Sequence, residues 1–197
     1  MKRTFKLITL LTAIGIAVLI SSCTKADTEV VSKSAVTEAS TQQNPDRGDN
    51  CDFTAVLTED EIADLLHMRE EEKVARDVYL KLYELYEKPV FANIAQSEQK
   101  HMDAVLNLIE GYGLTDPVAD KPEGEFTADF QDLFDNLVAE GSESITAAYG
   151  VGVKIEELDI ADLQECIAST EVENILRVYN NLLAASGNHL NAFGSKL

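Results

Sequence analysis

The sequence predicts an all-α domain: a bundle of four long helices with one long crossover between the second and the third. Three observations carry that expectation. Four segments repeat apolar residues at spacings of three and four, no stretch keeps the period of a strand for long, and the second connection is far longer than the first. The same spacing brings out the residues that bear on function, because acids and histidines interrupt three of the apolar stripes.

Residues 1–22 open with Lys2, Arg3 and Lys6, continue as an apolar run from Leu7 to Ile20 and end on Ser21-Ser22. The run is short for a spanning helix and is followed by small residues, the pattern of an export signal. Cys23 directly after small residues resembles the lipobox of bacterial lipoproteins. That resemblance implies a signal peptide cleaved before Cys23, a diacylglyceryl thioether on its sulfur, and an extracytoplasmic domain lipid-anchored to a membrane of the cell envelope. Residues 23–50 are rich in Ser, Thr, Ala and Gln, lack aromatic residues and keep no period, so they are expected to form a flexible linker. The folded domain is expected over residues 51–197, and its 147 residues suffice for one real core.

The first helix is expected from near Thr58, an N-cap followed by Glu59, Asp60 and Glu61 that complement the positive end of the helix dipole, to about Tyr86. Its stripe is Leu65, Met68, Glu72, Ala75, Tyr79, Leu82 and Tyr86, with Glu72 inside an apolar and aromatic seam. Pro89 marks a short turn, so the second helix should run back antiparallel. Its stripe is Phe91, Ile94, Glu98, His101, Val105, Leu108 and Tyr112, stopped by Gly111, Gly113 and Pro117. Residues 114–141 bracket a short amphipathic helix, Phe130 to Val138, and can carry the chain from one end of the bundle to the other. The third long helix is expected over about Ser142–Ile167, weakened by Gly150 and Gly152. The fourth is expected over about Glu171–Phe193, with Thr170 as its cap and the stripe Ile175, Val178, Leu182, Ala185, His189 and Ala192.

The formal charge is −19, and loss of Lys2, Arg3 and Lys6 with the signal takes it to −22. So acidic a chain is a poor partner for nucleic acid or for anionic lipid and a good one for cations. Cys51 and Cys166 are the thiols left after acylation; in an exported domain they can pair as a disulfide, and no CxxC metal pair exists.

Burying an ionised carboxylate without a partner costs several kcal/mol, so core positions held by acids call for a compensating cation. Glu98-Gln99-Lys100-His101 is a Glu-x-x-His pair whose two ligands share one helix face. Carboxylate oxygens with imidazole nitrogens and no thiolate suit iron, manganese or zinc better than copper(I). Glu72, His189 and the run Glu156, Glu157, Leu158, Asp159 bring every long helix into the set. His67 lies off its stripe and reads as a solvated or edge residue. The acids Glu59 to Glu61 and Glu70 to Glu72 read as a wet face apart from Glu72.

The order Glu, Glu-x-x-His, long crossover, Glu and closing His resembles the ferritin-like di-iron carboxylate proteins, in which each half-bundle supplies one carboxylate and one Glu-x-x-His pair. More closely, MREEEKVARDVY (68–79), FANIAQSEQKHMDAV (91–105), IEELDIADLQ (155–164) and NLLAASGNHLNAF (181–193) resemble a bacterial family of ferritin-like, often exported proteins of undefined function. The likeness covers nearly all of residues 58–194. It implies that Glu72 is the carboxylate of the first helix, with Tyr79 as a hydrogen-bond partner, that Glu98 bridges two ions, and that His101 and His189 bind one each. It implies Glu156 on the third helix, with Glu157 as the alternative there and Glu71 as the alternative on the first. Ser186 stands where the resemblance expects a Glu, so either Asp159 replaces that carboxylate or the site holds a single metal. The function implied is a membrane-anchored iron protein, with two ions, that oxidises ferrous iron with dioxygen or peroxide. Two other readings stay open: envelope sequestration of zinc, manganese or iron without catalysis, and a structural bundle without metal.

Overall fold

The structure, a computed structural model, describes residues 52–197. The signal peptide, the lipidation residue Cys23, the linker and Cys51 with its pairing to Cys166 lie outside the described residues. Among the described residues five helices follow one another: α1 (Glu59–Tyr86), α2 (Pro89–Gly111), α3 (Ala128–Gly141), α4 (Ile145–Ser169) and α5 (Glu173–Gly194). No strand occurs among the described residues, and no helix there is long and apolar enough to cross a membrane.

Local chemistry sets the helix ends. The Thr58 hydroxyl accepts from the Glu61 backbone N–H at 3.2 Å while the Glu61 carboxylate accepts from the Thr58 N–H at 2.8 Å, a reciprocal cap that satisfies donors the first turn leaves open. Glu87 ends α1 with φ 50°, its N–H donating to the Tyr83 carbonyl, and Pro89 opens α2 where a missing N–H is harmless. So short a link makes α1 and α2 antiparallel neighbours. Ser144 caps α4 by accepting from the Ala147 N–H. Thr170 does not cap α5 as expected: Val172 occupies that position, and the buried Thr170 hydroxyl donates to Glu61 at 2.6 Å and accepts from the Val172 N–H. α1 packs along α2 and α4 along α5, and the two pairs meet through α1 with α4 and α2 with α5.

The crossover does more than span a distance. α3 is longer than the expected Phe130–Val138 piece and packs on α1 and α4, so α1 is covered on more than one side. The expected wet face at Glu70 and Glu71 is therefore not there: both are buried, as are Arg69, Lys73 and Asp77. Arg69, Glu70, Lys73 and Asp77 each have a partner in or near the crossover. Arg69 grips Asp116 with Nε and Nη2 (3.2 and 2.9 Å), and Glu70 accepts from the Thr127 backbone and hydroxyl. Lys73 Nζ donates to Asp77 at 2.6 Å and to the carbonyls of Pro122 and Glu125, with the Phe126 ring 4.2 Å away. Charges removed from water need such saturation, and here the loop supplies it.

Two apolar clusters fill the interior. One contains Val78, Phe91, Val151 and Phe193; the other contains Leu65, Leu108, Leu163 and Tyr179. On each of α1, α2, α4 and α5 the residues between those clusters are the polar ones: Glu72; Glu98 and His101; Glu156 and Asp159; Ser186 and His189. Helix spacing thus places one polar layer at a common level.

Candidate metal centre

Glu72, Glu98, His101, Glu156 and His189, all marked out by the sequence, converge in that layer. Glu98 lies between the two histidines. Its Oε2 is 2.7 Å from His101 Nδ1, and its Oε1 is 2.9 Å from His189 Nδ1. Glu72 Oε2 is 3.2 Å from His101 Nδ1 and Glu156 Oε2 is 3.5 Å from His189 Nδ1. Two groups result, Glu72–Glu98–His101 and Glu98–Glu156–His189, each with ligand atoms within 4.8 Å of one another. Both are buried, and they share Glu98. The imidazole rings stack with centroids 5.6 Å apart.

Tyr79, the expected partner, donates its hydroxyl to Glu156 Oε1 at 2.6 Å rather than to an acid of its own helix. Asp159 is buried beside this set and lines a cavity with room for about one water-sized sphere, together with Glu71, Glu72, Glu98 and Glu156. Glu157 is exposed and takes no part, because it lies one residue, about 100° of helix, away from Glu156. Ser186 is fully buried, and its hydroxyl donates to the Leu182 carbonyl at 2.9 Å. Cys166 is buried in the apolar cluster that also holds Leu163 and Tyr179, away from this layer.

The electrostatics are those of crowded acids. Burial pushes Glu98 up, but His101 and His189 outweigh it and hold the carboxyl at about 2. Burial alone would lower the two imidazoles; Glu72 and Glu98 instead hold His101 at about 11, and Glu156 and Glu98 hold His189 at about 9. Asp159 is raised to about 7 by burial and by Glu156 and Glu98, despite the Ser186 hydroxyl beside it. Glu72 is raised well above the usual range by burial and Asp159, and Glu71 by burial, Asp159 and Asp162. Positive charge is in short supply here. Polar atoms are left over as well: Glu71 Oε2, Glu72 Oε1 and Asp159 Oδ1 are buried without a hydrogen-bond partner. In native interiors such orphans call for an ion or a water, and this donor set fits a divalent cation.

Two features escape the stripe analysis. Glu71, only an alternative on α1, reaches the cavity alongside Glu72. His67, expected at an edge, is half-buried and lies near Glu71 and near Asp162 of α4. A signal was present, since His67 and Glu71 are four residues apart and Asp159 and Asp162 three, spacings that share a helix face.

The family described as uncharacterized protein domain DUF2202 matches residues 61–197. The chain is 49% identical over 138 residues to uncharacterized protein MJ0754 of Methanocaldococcus jannaschii, a match covering 70% of this chain and 75% of that protein. The crystal structure of hypothetical protein MJ0754 from Methanococcus jannaschii DSM 2661 aligns with a TM-score of 0.69 at 48% identity, over 71% of this chain and 80% of that one.

Proposed function

The chain belongs to the DUF2202 domain family, and we propose that its domain is a ferritin-like four-helix bundle built around a metal centre. What supports the architecture is the pairing of α1 with α2 and of α4 with α5, with α3 carried in the crossover. What carries the functional reading is a single observation: two buried Glu–Glu–His groups share the carboxylate of Glu98. In this reading Glu72, Glu98 and His101 would hold one first-row divalent ion and Glu98, Glu156 and His189 would hold a second, with Asp159 offering the carboxylate that Ser186 cannot.

Iron in such a centre supplies one-electron chemistry toward dioxygen or peroxide, so the activity proposed is oxidation of ferrous iron by a small oxidant. The chain's own residues set its conditions. Tyr79 fixes the orientation of Glu156, and outer hydrogen bonds of this kind tune ligand basicity. The apolar clusters on either side limit water in the layer. His101 and His189 carry protons that must leave before either nitrogen can bind an ion. Export and lipid anchoring through Cys23 belong to the same proposal and rest on the residue pattern of 1–23; loss of labelled-lipid incorporation in Cys23→Ala tests them.

The experiment is metal analysis of the full-length chain followed by aerobic addition of ferrous iron. At least two ions per chain and oxidation faster than in buffer are expected, and Glu98→Gln should lose the two central ions and the oxidation. Oxidation no faster than in buffer would overturn the activity. A second reading, cation holding without turnover, is favoured by Ser186, whose hydroxyl is committed to the Leu182 carbonyl and leaves α5 with one ligand. One zinc per chain with no ferrous oxidation would select it.

A further inference from the structure

Outside the central layer, His67 of α1, Glu71 one turn later and Asp162 of α4 form a third group whose ligand atoms lie within 4.8 Å of one another. His67 Nε2 is 3.6 Å from Glu71 Oε2 and 3.5 Å from Asp162 Oδ2. These separations are long for hydrogen bonds. They are what two donors need to share one ion, since ligands about 2.1 Å from a tetrahedral centre stand about 3.4 Å apart. The group is graded in exposure: the side chains of Asp162, His67 and Glu71 are 37%, 24% and 11% exposed.

A second observation points to a ligand. Glu71 is nine-tenths buried, and its Oε2, the oxygen nearer His67, has no hydrogen-bond partner. The same residue lines the central cavity with Glu72 and Asp159. Glu71 therefore belongs to both places. The His67 ring is backed by Phe130 of α3, centroids 5.0 Å apart, so the crossover helix fixes the imidazole against the acids.

We propose that His67, Glu71 and Asp162 form an outer divalent-cation site, half open to solvent, from which Glu71 passes ions to the central layer. The outer site stands on its own geometry, whereas the transfer rests on the central reading above. The ligand class is a first-row divalent cation of borderline softness, because one imidazole and two carboxylates are too few oxygens for calcium and include a nitrogen magnesium disfavours. An acidic, partly exposed group at the mouth of a buried site also raises the local cation concentration and the rate of capture.

The test is cobalt(II) titration of the full-length chain, read by bound equivalents after dialysis and by visible absorption. Asp162→Asn and His67→Gln alter side chains at least a quarter exposed or nearly so, and helicity confirms that each folds. If one fails to fold, the other carries the test. Each should bind one equivalent fewer than the unaltered chain, and equal stoichiometry would overturn the outer site. Glu98→Gln separates the two readings: it should keep the outer equivalent and lose the central ones. If it loses none while Asp162→Asn loses one, the central reading fails and the outer site stands. At limiting cobalt, filling of the central layer should be roughly tenfold slower in Asp162→Asn. An unchanged filling rate would overturn the transfer.

Discussion

Glu98 is the residue on which the proposed metal centre turns, because both histidines lie within 3 Å of its carboxylate oxygens. Its neutral amide counterpart leaves two buried imidazoles without their shared counter-charge, and breaking a buried pair in this way costs roughly 3 kcal/mol. Glu98→Gln is thus expected to lower the stability of the metal-free chain as well as its metal content, by denaturant titration. The pH dependence has a definite sign. His101 and His189 are raised from 6.5 to about 11 and about 9, and Asp159 from 3.8 to about 7. Each holds its proton more tightly folded than unfolded, so its contribution is full below the unfolded value and is lost as pH rises through the folded one. Melting temperature of the metal-free chain should fall between pH 6.5 and about 9. Metal affinity should rise over the same interval, because a cation takes the place of the departing protons. A metal-free chain that gains stability toward pH 9 would contradict this. Glu72, Glu98, His101 and His189 were legible in the sequence because they break apolar stripes. Glu71 was legible only as an alternative to Glu72: it sits in a run of acids on a helix whose outer side is covered, and no single-helix pattern reports what covers it.

Helix boundaries follow from short-range chemistry, which is why four of them fall where capping residues and prolines place them. The exceptions have tertiary causes. Thr170 looks like a cap, yet Glu61 of α1 draws its hydroxyl away, and α5 starts at Glu173 after Val172. Gly150 and Gly152 look like equal defects in α4, and the helix runs through both. They differ in what surrounds them. A Cβ on Gly152 would come within 2.5 Å of the Phe193 ring, which is fully buried against Tyr79 and Phe91, whereas one on Gly150 would meet nothing within 4 Å. Gly150→Ala should therefore stabilise by about 0.5–1 kcal/mol through helix propensity. Gly152→Ala should destabilise by about 1–2 kcal/mol, since overpacking outweighs the same propensity gain. Chemical denaturation of the two variants checks the opposite signs, and matching signs would mean that Phe193 has room to move. The crossover was legible as a spacer and not as a cover, because Arg69–Asp116 and Lys73–Pro122 join residues nearly fifty positions apart.

At the scale of the whole molecule, the polar layer divides the interior into two apolar clusters and joins four helices at one level. Without a cation the layer is a weak point: acids raised by burial and then by mutual repulsion, orphaned oxygens, and two imidazoliums as its positive charge. With one, the same residues tie α1 and α2 to α4 and α5, contacts that the unfolded chain cannot make together. Binding to the folded form alone stabilises by RT ln(1 + [L]/Kd), about 2.7 kcal/mol at a hundredfold excess of ligand over Kd. For a domain of this size that is on the order of 5–10 °C in melting temperature. Ferrous iron, manganese or zinc should therefore raise the melting temperature of the dialysed chain, and a strong chelator should reverse the rise. Magnesium should have much less effect, because it prefers oxygen ligands and keeps its waters. The increment should shrink in Glu98→Gln and persist in Glu157→Gln, whose side chain faces solvent. If neither metal nor chelator moves the transition, the acids and histidines of the layer serve one another alone, and the domain is a structural helical assembly with a polar core.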